Sequence, residues 1–184
     1  MKIMTKKINL KITIEETAER HPVPLLGTDY KVKIVYKNVK CAELDVEDKL
    51  IKISLPNKYK KANNEKILDM AIDKMYEQIA KVEVERAMEK TRILLGFAPE
   101  DYEIKKIKNA LGKCEDKKIT INPEIVKYDR NVIDYIVLHQ YCHLKYKTHS
   151  KGFMNMIKEY EPNFEKYEKI ILNLKKVWYY NYNI

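Results

Sequence analysis

The spacing of apolar residues changes near residue 63, and this change limits the folds available to the chain. Before it, apolar and polar side chains alternate over 6–14 and 30–36, which is typical of half-buried strands. After it, apolar residues recur at helical spacing over 67–87. A second helical pattern follows Asp129, which we expect to be its N-cap. The chain is therefore predicted to be an α+β protein with a small, mostly antiparallel N-terminal sheet and a long central helix.

Turn signals and short apolar runs divide the rest of the chain. His21–Gly27 is a turn-rich connection between the first two predicted strands, and Pro56 ends a third over 49–55. We therefore expect a β-rich N-terminal subdomain over 1–60 and a second domain over 61–184. The second domain is predicted to contain two strands around a turn at 114–117 and three further helices: strands 102–108 and 118–122, and helices 131–144, 150–160 and 163–174. An aromatic tail over 178–182 is expected to dock on the core.

The few glycines and cysteines exclude several common sites. Four glycines are spaced too far apart for a phosphate-binding loop such as GxGxxG. The three cysteines, Cys41, Cys114 and Cys142, include no CxxC pair, so neither a cysteine-based zinc knuckle nor a disulfide framework is expected. Reduced thiols are typical of the cytoplasm, where we expect the protein. No apolar run is long enough for a signal peptide or a membrane span, so we expect a soluble protein without membrane contact.

The chain is basic, with 36 Lys and Arg against 27 Asp and Glu and a net charge of +9. Such a balance indicates either a nucleic-acid or acidic partner, or a solvated lysine-rich surface. The lysines are spread along the whole chain and interleaved with Glu and Asp, which favours the solvated surface. Nucleic-acid contact is left as the alternative.

Three of the four histidines lie within eleven residues. His139 and His143 are four positions apart in the predicted helix, so their rings project from one face and can bind one zinc ion at about 2.0–2.1 Å. On an unbroken helix His149 would point away, so the polar stretch 145–148 must turn the chain back toward the ion. Three histidines with a fourth position open to water are typical of catalytic zinc sites.

Simple packing is the alternative explanation for these histidines, with two partly buried side chains on the helix and one at the surface. A third histidine at a workable offset, in a chain otherwise almost free of histidine, favours the metal site. Cys142 lies beside the same helix face and could in principle reach the ion. A small buried helix residue is the favoured interpretation of that thiol.

Position 140 determines whether such a site can hydrolyse a peptide. Zincins have the sequence His-Glu-x-x-His, in which the glutamate takes a proton from the metal-activated water and passes it to the leaving amine. Here the sequence is His139-Gln140-Tyr141-Cys142-His143. A Gln amide has nearly the same shape but cannot accept and release that proton. Metal binding should survive, whereas hydrolysis should be severely impaired.

The stretch NVIDYIVLHQYCHLKYKTHSKGFMNMIKEYEPNF, residues 131–164, resembles the core motif of the YgjP-like zinc metallopeptidases, relatives of the SprT and WLM zincins. That motif is roughly VIDYVxxHELxHLxxxNHSxxFW. The resemblance extends upstream, where Leu26–Tyr30 is similar to a family turn, 108–114 to a segment ending in cysteine, and 119–122 to the following strand. The departures are Ala110-Leu111 for an Arg-Trp pair, Thr148 for Asn and Met154 for Trp.

The resemblance implies a zincin-like C-terminal core with an active-site helix, a peptide or protein substrate, and Zn²⁺ held by His139, His143 and His149. It places Gln140 at the catalytic general-base position. It also implies an edge strand that holds the substrate, with 118–122 as the candidate; the alternative is that this is an interior strand. An oxyanion-stabilising group should lie nearby, and Tyr128, Tyr135 and Tyr160 are candidates, although ordinary packing is favoured for each.

Three functions remain open from the sequence. The leading one is a zinc-dependent metallopeptidase present in an inactivated Glu-to-Gln form, either engineered or, less favoured, a natural pseudoenzyme. The second is a non-catalytic zinc-containing module that binds a peptide or protein. The third, by analogy with SprT-type relatives, is a protease associated with nucleic acid. The sequence does not indicate an oligomeric state.

Overall fold

The computed structural model describes residues 22–60 and 64–174, so the strand predicted over 6–14 and the aromatic tail over 178–182 lie outside the described residues. The described fold is a mixed α+β fold, as predicted. Its strands are β1 (Val23–Leu25), β2 (Thr28–Lys37), β3 (Glu43–Glu47), β4 (Leu50–Pro56), β5 (Asp101–Ile104), β6 (Gly112–Glu115) and β7 (Lys118–Ile121). Its helices are α1 (Asn64–Leu95), α2 (Arg130–Lys145), α3 (Lys151–Tyr160) and α4 (Phe164–Leu174), with short 3₁₀ helices at Asn57–Tyr59 and Pro123–Lys127.

The first sheet has the strand order β1-β2-β4-β3. Two of its three pairings are antiparallel, as predicted for the sheet as a whole, but the longest one, between β2 and β4, is parallel. The alternating patterns at 30–36 and 49–55 correctly predicted β2 and β4. The short strand β1 lies in the stretch expected to be a turn-rich connection. Strand β3 was not predicted because its side chains are mostly exposed and so lack an alternating apolar pattern.

Helix α1 is the long central helix that the apolar spacing predicted. Its buried stripe faces the core through residues such as Leu68, Met75 and Val84. The helix ends before Gly96, whose φ of +74° is a left-handed conformation that glycine adopts at low cost. In the described residues no helix is both long and apolar enough to cross a membrane.

The second sheet has the order β5-β7-β6, with β7 parallel to β5 and antiparallel to β6. Asp116 and Lys117 connect β6 to β7 in a two-residue turn and both have positive φ, which is typical of a tight hairpin. The sequence predicted a longer turn at 114–117 and therefore missed β6. Because β7 has a neighbour on each side, the expectation that 118–122 is a substrate-binding edge strand is wrong. Among the strands that the structure describes, the edges of this sheet are β5 and β6.

Helix α2 begins where its capping residue predicted. The Oδ1 atom of Asp129 accepts hydrogen bonds from the backbone N–H groups of Asn131 at 2.9 Å and Val132 at 3.1 Å. These bonds satisfy two of the amides that a helix leaves without partners at its N-terminus. Lys145 ends α2, and Ser150 caps α3 by accepting from the N–H of Phe153.

Replacing Asp129 with alanine is expected to lower the free energy of unfolding by about 0.5–2 kcal/mol, because both hydrogen bonds from the backbone N–H groups to its side chain are lost. Chemical denaturation with fluorescence detection measures this. Asn131→Ala, at an exposed position in the first turn, is the matched control and should change the free energy by less. Equal effects of the two substitutions would show that the cap does not fix the start of α2.

Ion pairs centred on one buried carboxylate join the N-terminal half of α2 to α1. The carboxylate of Glu83 is 4% exposed and accepts from Arg130 at 2.7 Å and Arg86 at 3.0 Å. Arg86 also donates to Asp134 at 2.7 Å. The hydrogen bond from Arg130 is the main reason that the pKa of Glu83 is lowered. Helix α2 is thus fixed against α1 on one side, and strand β6 and helix α3 contact it elsewhere.

Candidate metal centre and active-site groove

Two histidines project side by side from α2. His139 is 2% exposed, His143 is partly buried, and their ring centroids are 5.0 Å apart. This is the arrangement that their four-residue spacing predicted. The C-terminal half of α2 is buried on nearly all sides up to Cys142, and His143 follows it at a partly buried position. Cys142 is fully buried and packs as a small apolar residue, which agrees with the favoured interpretation of that thiol.

The chain turns after α2 and brings His149 back to the other two histidines. The Nε2 atoms of His149 and His139 are 3.1 Å apart, and one ring nitrogen from each of the three histidines lies within 4.8 Å of the others. The break predicted over 145–148 is therefore present. Two zinc–nitrogen bonds of about 2.0–2.1 Å at a tetrahedral angle would separate their nitrogens by about 3.3–3.4 Å, close to the observed distance.

Hydrogen bonds on the far side of two rings orient them for metal binding. The Nδ1 atom of His143 lies 3.0 Å from the backbone carbonyl oxygen of Tyr146, and it can donate to that oxygen only as N–H. The Nδ1 atom of His139 lies 3.4 Å from the hydroxyl oxygen of Tyr135, which in turn donates to Glu168 Oε1 at 3.0 Å. Both contacts favour the tautomer that leaves Nε2 free to bind a cation.

The surroundings keep the three imidazoles neutral. Burial is the main cause that lowers the pKa of His139 well below its usual value of 6.5, and it also lowers the pKa of His143. Burial, with a smaller contribution from His143, lowers the pKa of His149 to about 4. Metal ligation requires an unprotonated nitrogen. At neutral pH all three rings are therefore in the form that binds a metal.

Phe153 of α3 packs against all three rings. Its ring centroid is 4.4 Å from that of His149, 4.7 Å from His143 and 5.0 Å from His139, and its side chain is 1% exposed. A close aromatic wall holds the rings in place and excludes water from one side of the cluster. Phe153 was not among the site residues predicted from the sequence, although the resembled motif has Phe at this position.

Residue 140 is buried beside the histidines. Gln140 is 2% exposed, and its Oε1 atom is a buried oxygen without a hydrogen-bond partner among the described residues. Strand β6 comes close to it at Gly112, where a Cβ atom would lie 3.0 Å from Gln140 Cγ. Gly112 therefore allows the edge strand to approach Gln140. A buried acceptor without a partner fits a site at which a water molecule or substrate N–H donates.

A groove lies along β6 and passes His143; we call it the active-site groove. One half, of about 430 Å³, is lined by Gln140, Lys108 and the β6 backbone, and the other, of about 700 Å³, by Leu144 and the β6–β7 turn. Both halves share Cys114, Glu115, His143 and Lys147. Strand β6 thus provides the edge that the sequence placed at 118–122. The structure brings Tyr135 to His139, but Tyr128 has no such contact in the described residues.

A helix carrying HxxxH, a third histidine returned by a turn, and a flanking edge strand are the arrangement expected of a metal-dependent peptidase. The chain belongs to the YgjP-like metallopeptidase domain family, whose model matches residues 2–173. This confirms the resemblance identified from the sequence.

Solved structures similar to this chain include two metallopeptidase zymogens. Pyrococcus abyssi abylysin is 23% identical with a TM-score of 0.46, over 50% of this chain and 95% of that one. Methanocaldococcus jannaschii jannalysin is 25% identical with a TM-score of 0.45, over 50% of this chain and 91% of that one. No curated protein matches the chain.

Proposed function

We propose that this protein is a zinc-dependent peptidase of the zincin type, in which His139, His143 and His149 hold the ion. The observation that carries this proposal is the convergence of three neutral imidazoles beside a groove that contains Gln140. Nitrogen ligands in this number suit zinc and leave a coordination position for the reaction. Zinc, when bound, would polarise a peptide carbonyl and activate water.

The chain's own residues would position the substrate. The edge of β6 can hold an extended peptide by main-chain hydrogen bonds, because among the described strands β6 has a neighbour on one side only. The peptide would then pass Gln140 and His143, which line the same half of the active-site groove. A side chain at position 140 is within the groove and buried, so it can exchange a proton with a reacting group there if it is a carboxylate.

We further propose that the chain with Gln140 is inactive or severely impaired. An amide cannot serve as the general base, while the ligand set does not include this position. The presence of Gln140 beside an intact set of histidines also supports the second candidate, a zinc-containing module that binds a peptide or protein without cutting it. Glu encoded at this position in the natural gene would favour the enzyme, and Gln would favour the binding module.

The test of the peptidase proposal uses the zinc-loaded chain carrying Gln140→Glu. Incubation with a pool of unfolded proteins, followed by mass spectrometry, should detect new termini at internal peptide bonds, and a chelator should abolish them. The chain with Gln140 is the control and should bind some of the same peptides intact. Absence of cleavage with every peptide pool, while zinc is bound, would contradict the peptidase proposal.

We also propose that the protein works in the cytoplasm. Cys41, Cys114 and Cys142 are all free thiols, although they differ in exposure. Free thiols persist in a reducing compartment, whereas secreted proteins of this size commonly pair them. Fractionation of cells that express the natural gene would test this.

Glu168 and Tyr135 are expected to strengthen metal binding by fixing the His139 ring. Glu168→Gln or Tyr135→Phe should weaken zinc affinity by about 10- to 100-fold, the usual effect of losing such a partner of a metal ligand. Competition with a coloured chelator measures this. Glu165→Gln, on the exposed side of the same helix, is the matched control. Unchanged affinity in both variants would show that the hydrogen-bonded chain from Glu168 does not orient the ligand.

A further inference from the structure

Charge is distributed unequally between the two halves of the active-site groove. The half that contains Gln140 is lined by three lysines, Lys108, Lys113 and Lys147, against one carboxylate, Glu115. The half that contains Leu144 is balanced, with three lysines against three carboxylates: Lys117, Lys145 and Lys147 against Glu100, Glu115 and Asp116. The surplus positive charge therefore lies in the Gln140 half, and Lys147 belongs to the part of the lining that both halves share.

Ion pairs neutralise some of these lysines but not the two that matter here. Lys113 binds Glu115 at 2.7 Å, and Lys117 binds Glu100 at 2.7 Å. Lys145 instead lies over the ring of Phe97, 4.5 Å from its centroid. In the part of the chain that the structure describes, Lys108 and Lys147 are exposed and form no ion pair. These two ammonium groups are available to an incoming ligand.

The loop that carries Lys108 is held in a fixed conformation. Asn122 is 2% exposed, and its side-chain amide donates to the carbonyl oxygens of Ile107 and Ala110 at 2.9 Å each. The backbone N–H of Asn122 also donates to Leu111 at 2.8 Å. Lys108 therefore extends from an ordered backbone, which lowers the entropic cost of binding through it.

We propose that the active-site groove selects peptides with acidic residues on one side of the bond to be cut, bound by Lys108 and Lys147. This inference rests on the proposed peptidase function and specifies its substrate class. A peptide on the edge of β6 would present its side chains to the Gln140 half, where carboxylates meet unpaired ammonium groups. A nucleic acid fits less well, because neither half is lined by a Phe, Tyr or Trp side chain on which bases could stack, and the one aromatic ring there, that of His143, belongs to the proposed metal site.

The binding experiment uses the zinc-loaded chain with Gln140 and fluorescently labelled peptides that share one sequence. Glu, Gln or Lys is placed in turn at successive positions on either side of the centre. On one side of the centre, Glu should bind about 2- to 5-fold more tightly than Gln at each favourable position, the range expected of an exposed ion pair. Raising the salt concentration from about 0.05 to about 0.5 M should remove this preference.

Charge reversal at the two lysines is the sharpest variant. With Lys108→Glu and Lys147→Glu, the preference should change from Glu-containing to Lys-containing peptides, while zinc content stays the same. Lys106→Glu is the matched control, because Lys106 is exposed, pairs with Asp73 and lies outside the groove. Equal binding of Glu and Gln peptides, or an unchanged preference in the double variant, would overturn the proposal. Tighter binding of single-stranded nucleic acid than of any peptide would also overturn it.

Cleavage by the chain carrying Gln140→Glu separates this inference from the function on which it rests. Cleavage that favours acidic peptides supports both. Cleavage without any charge preference leaves the peptidase in place and refutes the acidic selectivity. Failure to cut or bind any peptide refutes both.

Discussion

Replacing Gln140 with glutamate is expected to raise the rate of peptide hydrolysis by about 10²- to 10⁴-fold, the usual contribution of a positioned general base. The new carboxylate would occupy the place of a buried amide whose oxygen has no hydrogen-bond partner among the described residues, so the fold has to change little. Burial should raise the pKa of this carboxyl above its ordinary value. Since the base must be ionised, the rate should fall as the pH decreases through that pKa. Initial rates on a cleaved peptide, measured across pH, test both expectations.

The control for this variant makes the same chemical change elsewhere. Gln78→Glu places a carboxylate at an exposed position on α1 and should leave hydrolysis at the level of the chain with Gln140. Zinc content should be the same in all three proteins, because residue 140 is not in the proposed ligand set. A rate that rises equally in both variants would mean that position 140 has no special role.

Removing either of two histidines, one on the helix and one beyond the turn, should abolish stoichiometric zinc binding. His139→Ala removes the buried ligand of α2, and His149→Ala removes the ligand that the turn returns. Elemental analysis should show about one zinc per chain for the parent and close to none for either variant. Full retention of zinc by His149→Ala would contradict the three-ligand site.

The same variants should lose the stabilisation that zinc provides. A ligand that binds only the folded state, at about 100 times its dissociation constant, stabilises it by about 2.7 kcal/mol. The thermal midpoint of the parent should therefore rise with added zinc, and the midpoints of the two variants should not. His21→Ala, the change of the one histidine outside the cluster, is the control and should behave as the parent. A matching rise in the His139→Ala variant would place the zinc elsewhere.

Local patterns were enough to predict much of the fold. The apolar stripe of α1 and the capping residue Asp129 depend on neighbours within one or two helical turns, and the structure has both of them. Strands β1, β3 and β6 were missed for a common reason. Each is short, and β3 and β6 have many exposed side chains, so the alternation that indicates a strand is absent or incomplete. Their pairing is decided by partners distant in the sequence.

The candidate site was also predicted only where local sequence spacing fixes the geometry. The spacing of His139 and His143 predicted two rings on one helix face, because a helix fixes that relation locally. The contacts around them join distant segments: Glu168 of α4 reaches His139 through Tyr135, and β6 reaches Gln140 at Gly112. No spacing rule indicates contacts of this kind. The family resemblance gave 118–122 as the candidate substrate strand, with an interior strand as the alternative, and the structure shows this strand, β7, to be interior.

The sequence by itself determined the class of fold, the positions of the four helices, the family and the histidine pair, because periodicity, capping and a distinctive motif are read over short stretches of chain. The tertiary structure decided that the turn after α2 brings His149 within 3.1 Å of His139 and that β6, rather than β7, borders the groove. Among the described residues it also left two lysines without an ion pair: Lys108 in the Gln140 half of the groove and Lys147 where the two halves meet. These features depend on burial and on contacts between segments far apart in the chain, which fix positions only when the whole core has packed.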